Sequence, residues 1–456
     1  MYKKNNIRKI TLPEENIPRF WYNIVADMKN KPHPYRDPVT GELMKPEAMS
    51  AIFPKTVIEQ ELSEERDIEI PDKVREMYRD FRPSPLFRAR GLEKALDTPA
   101  RIYYKYEGGN ATGSHKVNTA MAQAYYNKLD GINNIVTETG AGQWGSAMSM
   151  ATNYFGMTCT VYMVKVSYEQ KPYRRIIMNT FGATVHASPS NMTQAGRDML
   201  AADPDCRGSL GLAISEAVEV AASRNDTNYA LGSVLNHVSL QQTLLGLESK
   251  VALESIDEYP DIVIGCCGGG SNFSGIAFPF LKDKLTRNTN IRCIAVEPES
   301  CPTLTKGVFA YDYGDVARFT PIMEMYTLGH SFMPSGIYAG GLRFHGASPI
   351  VSRLYHDGLI EAQAYNQTSV FDAAVRFSRA EGIVPAPESA HAIRAAIEEA
   401  LICKRDGVDK CILFSLSGNG YFDMAAYDRH IHENLTDVPF DGSMLETTLK
   451  NLPEIK

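Results

Sequence analysis

Asp261-Ile262-Val263-Ile264-Gly265-Cys266-Cys267-Gly268-Gly269-Gly270-Ser271-Asn272 is the stretch on which the fold turns. An apolar run of strand length, Asp261–Cys267, meets three consecutive glycines, and a helical pattern follows from Asn272 to Leu285. A strand feeding a helix through glycines is the repeating unit of a parallel sheet. Without side chains in the way, the N–H groups of Gly268, Gly269 and Gly270 can close on an anion, and the dipole of the next helix favours negative charge there. The stretch therefore reads as a phosphate cup. It matches neither G-x-x-x-x-G-K-[ST] nor G-x-G-x-x-G, so it indicates neither a Walker A nucleotide site nor a dinucleotide site. A glycine turn that binds nothing is the plain alternative.

Working outward, short apolar runs alternate with amphipathic segments from about residue 101. Strands are expected at Arg101–Glu107, Asn134–Thr137, Cys159–Val166, Ile291–Glu297 and Lys410–Leu416. Helices are expected at Ser114–Leu129, Gln143–Phe155 and Tyr173–Phe181, through a helical middle of roughly 192–257, and near 370–381 and 388–404. This alternation predicts an α/β fold of two open, twisted, mostly parallel sheets with flanking helices and a site in the cleft between them. Residues 1–80 are broken by Pro13, Pro18, Pro32, Pro34, Pro38, Pro46 and Pro54. Their apolar members (Phe20, Trp21, Tyr22, Ile24) predict an extension packed on the body, ending in a short helix from Pro71 to Phe81.

The chain has 456 residues, 44% hydrophobic and 22% charged, which suits folded domains and excludes disorder. A net charge of -7 argues against nucleic acid or an anionic membrane as the main partner. None of the eight cysteines forms a C-x-x-C pair, so they read as buried small apolar residues of a reducing compartment, with no metal site expected. The basic start Met1-Tyr2-Lys3-Lys4 leads into Thr11-Leu12-Pro13-Glu14-Glu15 rather than an apolar run, and nothing approaches the roughly 18 apolar residues of a membrane span. A cytoplasmic protein acting on small molecules is expected.

Two further glycine-rich segments fall where strands end. In Gly108-Gly109-Asn110-Ala111-Thr112-Gly113-Ser114-His115-Lys116-Val117-Asn118 a lysine opens a helix. An amine there, near a helix N-terminus and a cationic cofactor, has its ammonium form disfavoured and becomes a Schiff-base candidate; a surface lysine at a helix start is the plain alternative. In Glu138-Thr139-Gly140-Ala141-Gly142-Gln143-Trp144-Gly145 small residues expose N–H groups suited to a carboxylate, and a glutamate at a strand end can be desolvated into a proton-transfer range. A tight turn with a solvated glutamate would look the same.

Together these segments resemble one family. The block from about 82 to 424 is similar to the β chain of tryptophan synthase, a fold-type-II pyridoxal-phosphate (PLP) enzyme, and most to its second, longer type. The resemblance rests on Arg82-Pro83-Ser84-Pro85-Leu86, Gly113-Ser114-His115-Lys116, Glu138 to Gly145 and Gly268 to Asn272. It continues through Gly340-Gly341-Leu342-Arg343-Phe344-His345-Gly346, Pro385-Ala386-Pro387-Glu388-Ser389 and Leu416-Ser417-Gly418. In the extension, Ala51-Ile52-Phe53-Pro54 and Ile58-Glu59-Gln60-Glu61 belong to the same resemblance.

The resemblance implies a lyase that joins L-serine, or O-phosphoserine, to indole in tryptophan biosynthesis, with the cofactor between domains. It implies a PLP-phosphate domain of residues 81–113 and 236–456, and a smaller α/β domain of 114–235 carrying a mobile lid. Lys116 would form the Schiff base and move the Cα proton; Glu138 would protonate the departing hydroxyl and assist proton loss from the indole adduct. His115, Asn118, Gly268, Gly269, Gly270, Ser271, Asn272, Glu388 and Ser417 would contact the cofactor, Ser417 facing the pyridine nitrogen. Thr139, Gly140, Ala141, Gly142, Gln143 and Arg343 would contact substrate. A hydroxyl such as Ser417 can donate to a neutral pyridine nitrogen but cannot stabilise a pyridinium as a carboxylate would, which favours β-replacement over transamination. The resemblance further implies a homodimer, with binding to a tryptophan synthase alpha chain weak or absent. It leaves open a monovalent cation, which main-chain carbonyls would hold without a side-chain signature.

Two positions depart from the commoner type and one from the longer type. Trp144 replaces a histidine, as in the longer type, and Asn419 stands where the longer type has histidine. Arg343 replaces an aspartate that helps close the site. It reads either as an ion-paired residue on the lid surface or, with His345, as a cation favouring an anionic donor. The rival readings are a fold-type-II serine or threonine deaminase or sulfhydrylase, and a non-catalytic regulatory homologue.

Overall fold

The computed structural model describes residues 7–455, so the basic start Met1–Lys4 lies outside the described residues. Strand Ile262–Cys266 is buried along its whole length, which is why its sequence is continuously apolar instead of alternating. It lies at the heart of a seven-stranded sheet, ordered Lys9–Ile10, Leu86–Arg88, Arg101–Tyr106, Cys411–Leu416, Ile262–Cys266, Arg292–Pro298, Glu361–Tyr365. The strands from Arg101–Tyr106 to Glu361–Tyr365 run parallel, and the two at the other edge are antiparallel. A four-stranded, wholly parallel sheet is ordered Thr184–Ser188, Thr158–Val164, Asn134–Thr139, Thr227–Ala230. The two-sheet α/β expectation holds, with two small two-stranded ribbons added: Phe20–Tyr22 with Asp67–Glu69, and Val308–Tyr313 with Ile322–Thr327.

Helices cover both faces of the large sheet. Ser271–Arg287 packs on one face through Phe273, Ile276 and Phe280, and Pro387–Asp406 on the other through Ile393, Ala396 and Ala400. The helical middle is not wholly helical: helices Gln194–Ala202, Leu210–Ala222, Asn236–Gln241 and Leu244–Glu254 are interrupted by strand Thr227–Ala230. That strand carries Thr-Asn-Tyr-Ala and hides its polar groups in the sheet edge, so hydropathy does not reveal it. The extension contributes the edge strand Lys9–Ile10, and its helix Asp72–Tyr78 buries Val74, Met77 and Tyr78. Among the described residues, no helix is long and apolar enough to cross a membrane.

Candidate active site

Five strands from the two sheets deliver their C-terminal ends to one place: Tyr106 before Gly108, Thr139 before Gly140, Ala230 before Gly232, Cys266 before Gly268, and Leu416 before Gly418. This is where open parallel sheets bind ligands. The ends surround a small cavity lined by His115, Lys116, Gln143, the Gly268–Asn272 turn, Glu388 and Ser417. Ser233, Cys266, Gly341 and Leu342 complete the wall.

Lys116 sits at the start of helix Val117–Leu129, its ammonium bonded to the Gly232 carbonyl and, at 2.9 Å, to Ser271 Oγ. Burial pushes its pKa down to about 8, so an appreciable minority of it is neutral amine near physiological pH. His115 Nε2 lies 3.3 Å from the same Ser271 hydroxyl, and its backbone N–H donates to the Ser417 carbonyl at 2.9 Å. Burial and the neighbouring lysine lower its pKa to about 3, so it meets a ligand as a neutral ring.

The cup is shaped by what its glycines lack. A Cβ on Gly268 would lie 2.8 Å from Leu342 Cα, and one on Gly269 would lie 2.6 Å from Ser233 Oγ. Gly270 has φ +111°, a conformation that glycine adopts without strain, and starts the helix with no side-chain cap. The first-turn N–H groups of a helix have no intrahelical acceptor, so this N-terminus is left to an outside anion. Asn272 turns away, donating to Ser415 Oγ at 2.8 Å. Ser417 Oγ is 2.7 Å from Ser389 Oγ, which also accepts from the Gly418 N–H at 2.9 Å, so the hydroxyl is fixed in place. A phosphate cradle, a buried amine and a hydroxyl at the far wall fit a phosphorylated pyridine aldehyde.

On the other wall, helix Gln143–Tyr154 also starts on an uncapped, positive-φ glycine, Gly142 at φ +93°, where a Cβ would lie 2.7 Å from the Arg174 stem. Thr139 Oγ1 accepts from the Gly145 N–H at 3.1 Å, and Gln143 donates to Glu388 at 3.0 Å. Glu388 also accepts from the Gly341 N–H at 2.9 Å and so ties the two sheets together beside the cavity. Glu138 is buried, with its pKa pushed up to about 7 by desolvation, and Oε2 has no hydrogen-bond partner. It lies close enough to Lys116 for the two groups to feel each other's charge, and the Tyr229 phenol stands beside it.

Not every expected residue faces the cavity. The Asn118 amide is taken by Arg82 at 2.8 Å and Gln242 at 3.0 Å, within a buried network of Arg82, Lys105, Glu107 and Glu248. Arg343 is not on a lid surface: it is 5% exposed and, among the described residues, has no carboxylate within ion-pair distance. It donates to Ser167 Oγ at 2.6 Å, leaves Nε unpaired, and burial lowers its pKa to about 10. Its guanidinium reaches Gly340, whose carbonyl abuts Gly140, so it stands behind the 140–142 loop. His345 donates elsewhere, to the Tyr313 carbonyl at 2.8 Å. Asn419 bridges the glycine loops, donating to the Gly108 carbonyl at 2.8 Å. Trp144 donates to Thr137 at 2.6 Å and walls Gly232, where a Cβ would lie 2.6 Å from its ring. Sequence reading missed Gly232 and Ser233; their one signal was a Gly-Ser pair after an unrecognised strand.

The fold and the site define a pyridoxal-phosphate enzyme. A family model described as pyridoxal-phosphate dependent enzyme matches residues 78–418. Tryptophan synthase beta chain 2 of Aquifex aeolicus is 57% identical over 94% of this chain and 100% of its own length. The proteins of that name from Methanosarcina mazei and Thermotoga maritima are each 57% identical, over 94% and 92% of this chain and 97% and 99% of their own. Among solved structures, an L-serine ammonia-lyase from Rhizomucor miehei aligns with TM-score 0.56 at 16% identity, over 77% of this chain and 98% of that one, a likeness of fold alone. The chain belongs to the pyridoxal-phosphate dependent enzymes and, within them, to the tryptophan synthase beta chains of type 2.

Proposed function

We propose that this chain condenses L-serine with indole to give L-tryptophan and water, with pyridoxal phosphate held between the two sheets. The observation that carries the reading is a buried amine and a buried carboxyl, Lys116 and Glu138, poised at about 8 and about 7 beside a cradle shaped for an anion. Groups with pKa values near the working pH make effective proton-transfer catalysts.

Gly268 to Asn272 would hold the cofactor phosphate through main-chain N–H groups, with neutral His115 beside them. When bound, the cofactor supplies the electron sink that lets the Cα–H and Cβ–O bonds of serine break. The 139–143 loop binds the serine carboxylate at the N-terminus of helix Gln143–Tyr154, and Glu388 keeps Gln143 in place. Lys116 would hold the cofactor through its amine and, as the free amine, would take the Cα proton of serine and later return it. The protonated Glu138 carboxyl gives its proton to the departing hydroxyl; as carboxylate it then accepts one as indole joins Cβ. Ser417, positioned by Ser389, would offer the ring nitrogen a hydrogen bond without a charge.

A second donor, O-phosphoserine, is favoured by one observation: a buried arginine, Arg343, with an unpaired nitrogen behind the carboxylate loop. The reading also includes a cytoplasmic homodimer that uses free indole, with a weak alpha-chain partner at most. Co-purification of a tight alpha complex with stimulated turnover would overturn that part. The test of the reaction is cofactor-loaded protein given serine, with and without indole, and product mass. Tryptophan formed only with indole supports the proposal, pyruvate as the main product would make the chain a deaminase, and no visible absorbance would revive a non-catalytic role.

A further inference from the structure

The two extension motifs, Ala51-Ile52-Phe53-Pro54 and Ile58-Glu59-Gln60-Glu61, play no part in the chemistry above, yet both grip the same short segment, residues 229–237. The Ile52 carbonyl accepts from the Tyr229 N–H at 2.9 Å, and the Phe53 ring packs tilted against Tyr229, centroids 5.8 Å apart, and edge-on to His237 at 6.0 Å. Glu61 does more. Its fully buried carboxylate accepts from the Asn236 N–H at 2.9 Å, the His237 N–H at 2.9 Å and His237 Nδ1 at 2.6 Å. A fourth donor, the Tyr35 hydroxyl, also comes from the extension. Next to it, Gln60 accepts from Gln241, whose own carbonyl accepts from Thr119 at 2.6 Å on the helix that Lys116 begins.

The gripped segment is strained. Val234 has φ +76°, unfavourable for a β-branched residue, and the Leu235 N–H closes a tight turn on the Ser233 carbonyl at 3.0 Å. Such backbone persists only where its surroundings fix it, and it clusters at functional sites. Here it presents the Gly232 carbonyl to Lys116 and Ser233 to the cup. We propose that Glu61 is a positioning residue for the cofactor site: from the N-terminal extension it holds the Ser233–Leu235 turn in the shape that aims Gly232 at Lys116 and closes the cup. The inference rests on the pyridoxal-phosphate site described above.

The test is Glu61→Gln in the full chain, which keeps the size but cannot accept four bonds. Cofactor affinity is read by fluorescence titration of cofactor-free protein, and the ionisation of Lys116 by the pH dependence of cofactor capture. The dissociation constant is expected to rise about tenfold and the capture midpoint to move by at least half a pH unit, with serine KM within twofold of wild type. Glu61→Asp, which keeps the charge, is expected to recover most of the affinity. Val57→Ala, a buried change one turn earlier in the same extension helix that removes none of these hydrogen bonds, is expected to lower the melting temperature and move neither readout. If Glu61→Gln behaves as Val57→Ala does, losing stability alone, the positioning role is overturned. If Glu61→Gln does not fold, Tyr35→Phe removes one of the four bonds, and unchanged affinity in that variant overturns the role equally. Failure of the wild-type chain to bind the cofactor would instead overturn the site itself.

Discussion

Replacing Glu138 with glutamine should make the enzyme much slower and the protein more stable, and the gain in stability should follow a pH window fixed by burial. The carboxyl lies in the site with one oxygen unpartnered, and desolvation raises its pKa from an ordinary 4.5 to about 7. At about 1.4 kcal/mol per pH unit, the folded state resists ionising this group by about 3 kcal/mol. The sign follows from the direction: the folded protein holds the proton more tightly than the unfolded chain does. Stability from the protonated group is therefore fully present below about pH 4.5 and is lost as pH rises through about 7. Glutamine keeps the shape and never ionises. In urea unfolding of the cofactor-free protein, Glu138→Gln should match wild type at pH 4.5 and exceed it by up to about 3 kcal/mol at pH 8. Turnover should fall about 10²–10⁴-fold, the range for loss of a general acid–base group, with serine KM little changed. A loss of less than tenfold, or a stability difference that is flat between pH 4.5 and 8, would refute the reasoning.

Three further outcomes are expected. Cofactor capture by the cofactor-free protein should rise with pH around a midpoint near 8, because burial lowers Lys116 to that value, and stopped-flow absorbance would follow it; a midpoint near the ordinary 10.5 would contradict the burial argument. Gly268→Ala would put a methyl group 2.8 Å from Leu342 Cα and 2.9 Å from the Gly341 carbonyl, both backbone. Overpacking of that kind costs about 1–3 kcal/mol, so equilibrium dialysis should find cofactor affinity weakened at least about fivefold. Arg343→Ala should lower turnover of O-phosphoserine relative to serine if the buried guanidinium faces the donor; an unchanged ratio removes the anionic-donor reading.

The fold was legible where burial is two-sided. Ile262–Cys266 announces itself as a continuous apolar run because parallel neighbours and helices enclose it. Edge strands such as Glu361–Tyr365, half-exposed throughout, and the polar Thr227–Ala230 carry no such signal, and they went unread. The site was legible where backbone geometry demands glycine, as at Gly142 and Gly270. It was illegible where a side chain's direction decides. Asn118 lies two residues from Lys116, but the helix turns about 100° per residue, and its amide faces Arg82 instead of the cavity. Arg343 has the composition of a surface residue, yet tertiary packing buries it. Ser233 depends on a strained turn that no local propensity favours.

One measurement reaches Lys116 directly: borohydride reduction of the cofactor-loaded protein, followed by peptide mass mapping. The phosphopyridoxyl mass is expected on the peptide carrying Lys116, and to vanish when serine displaces the lysine before reduction. The label on Lys105, on Lys171 or scattered over surface lysines would contradict the site.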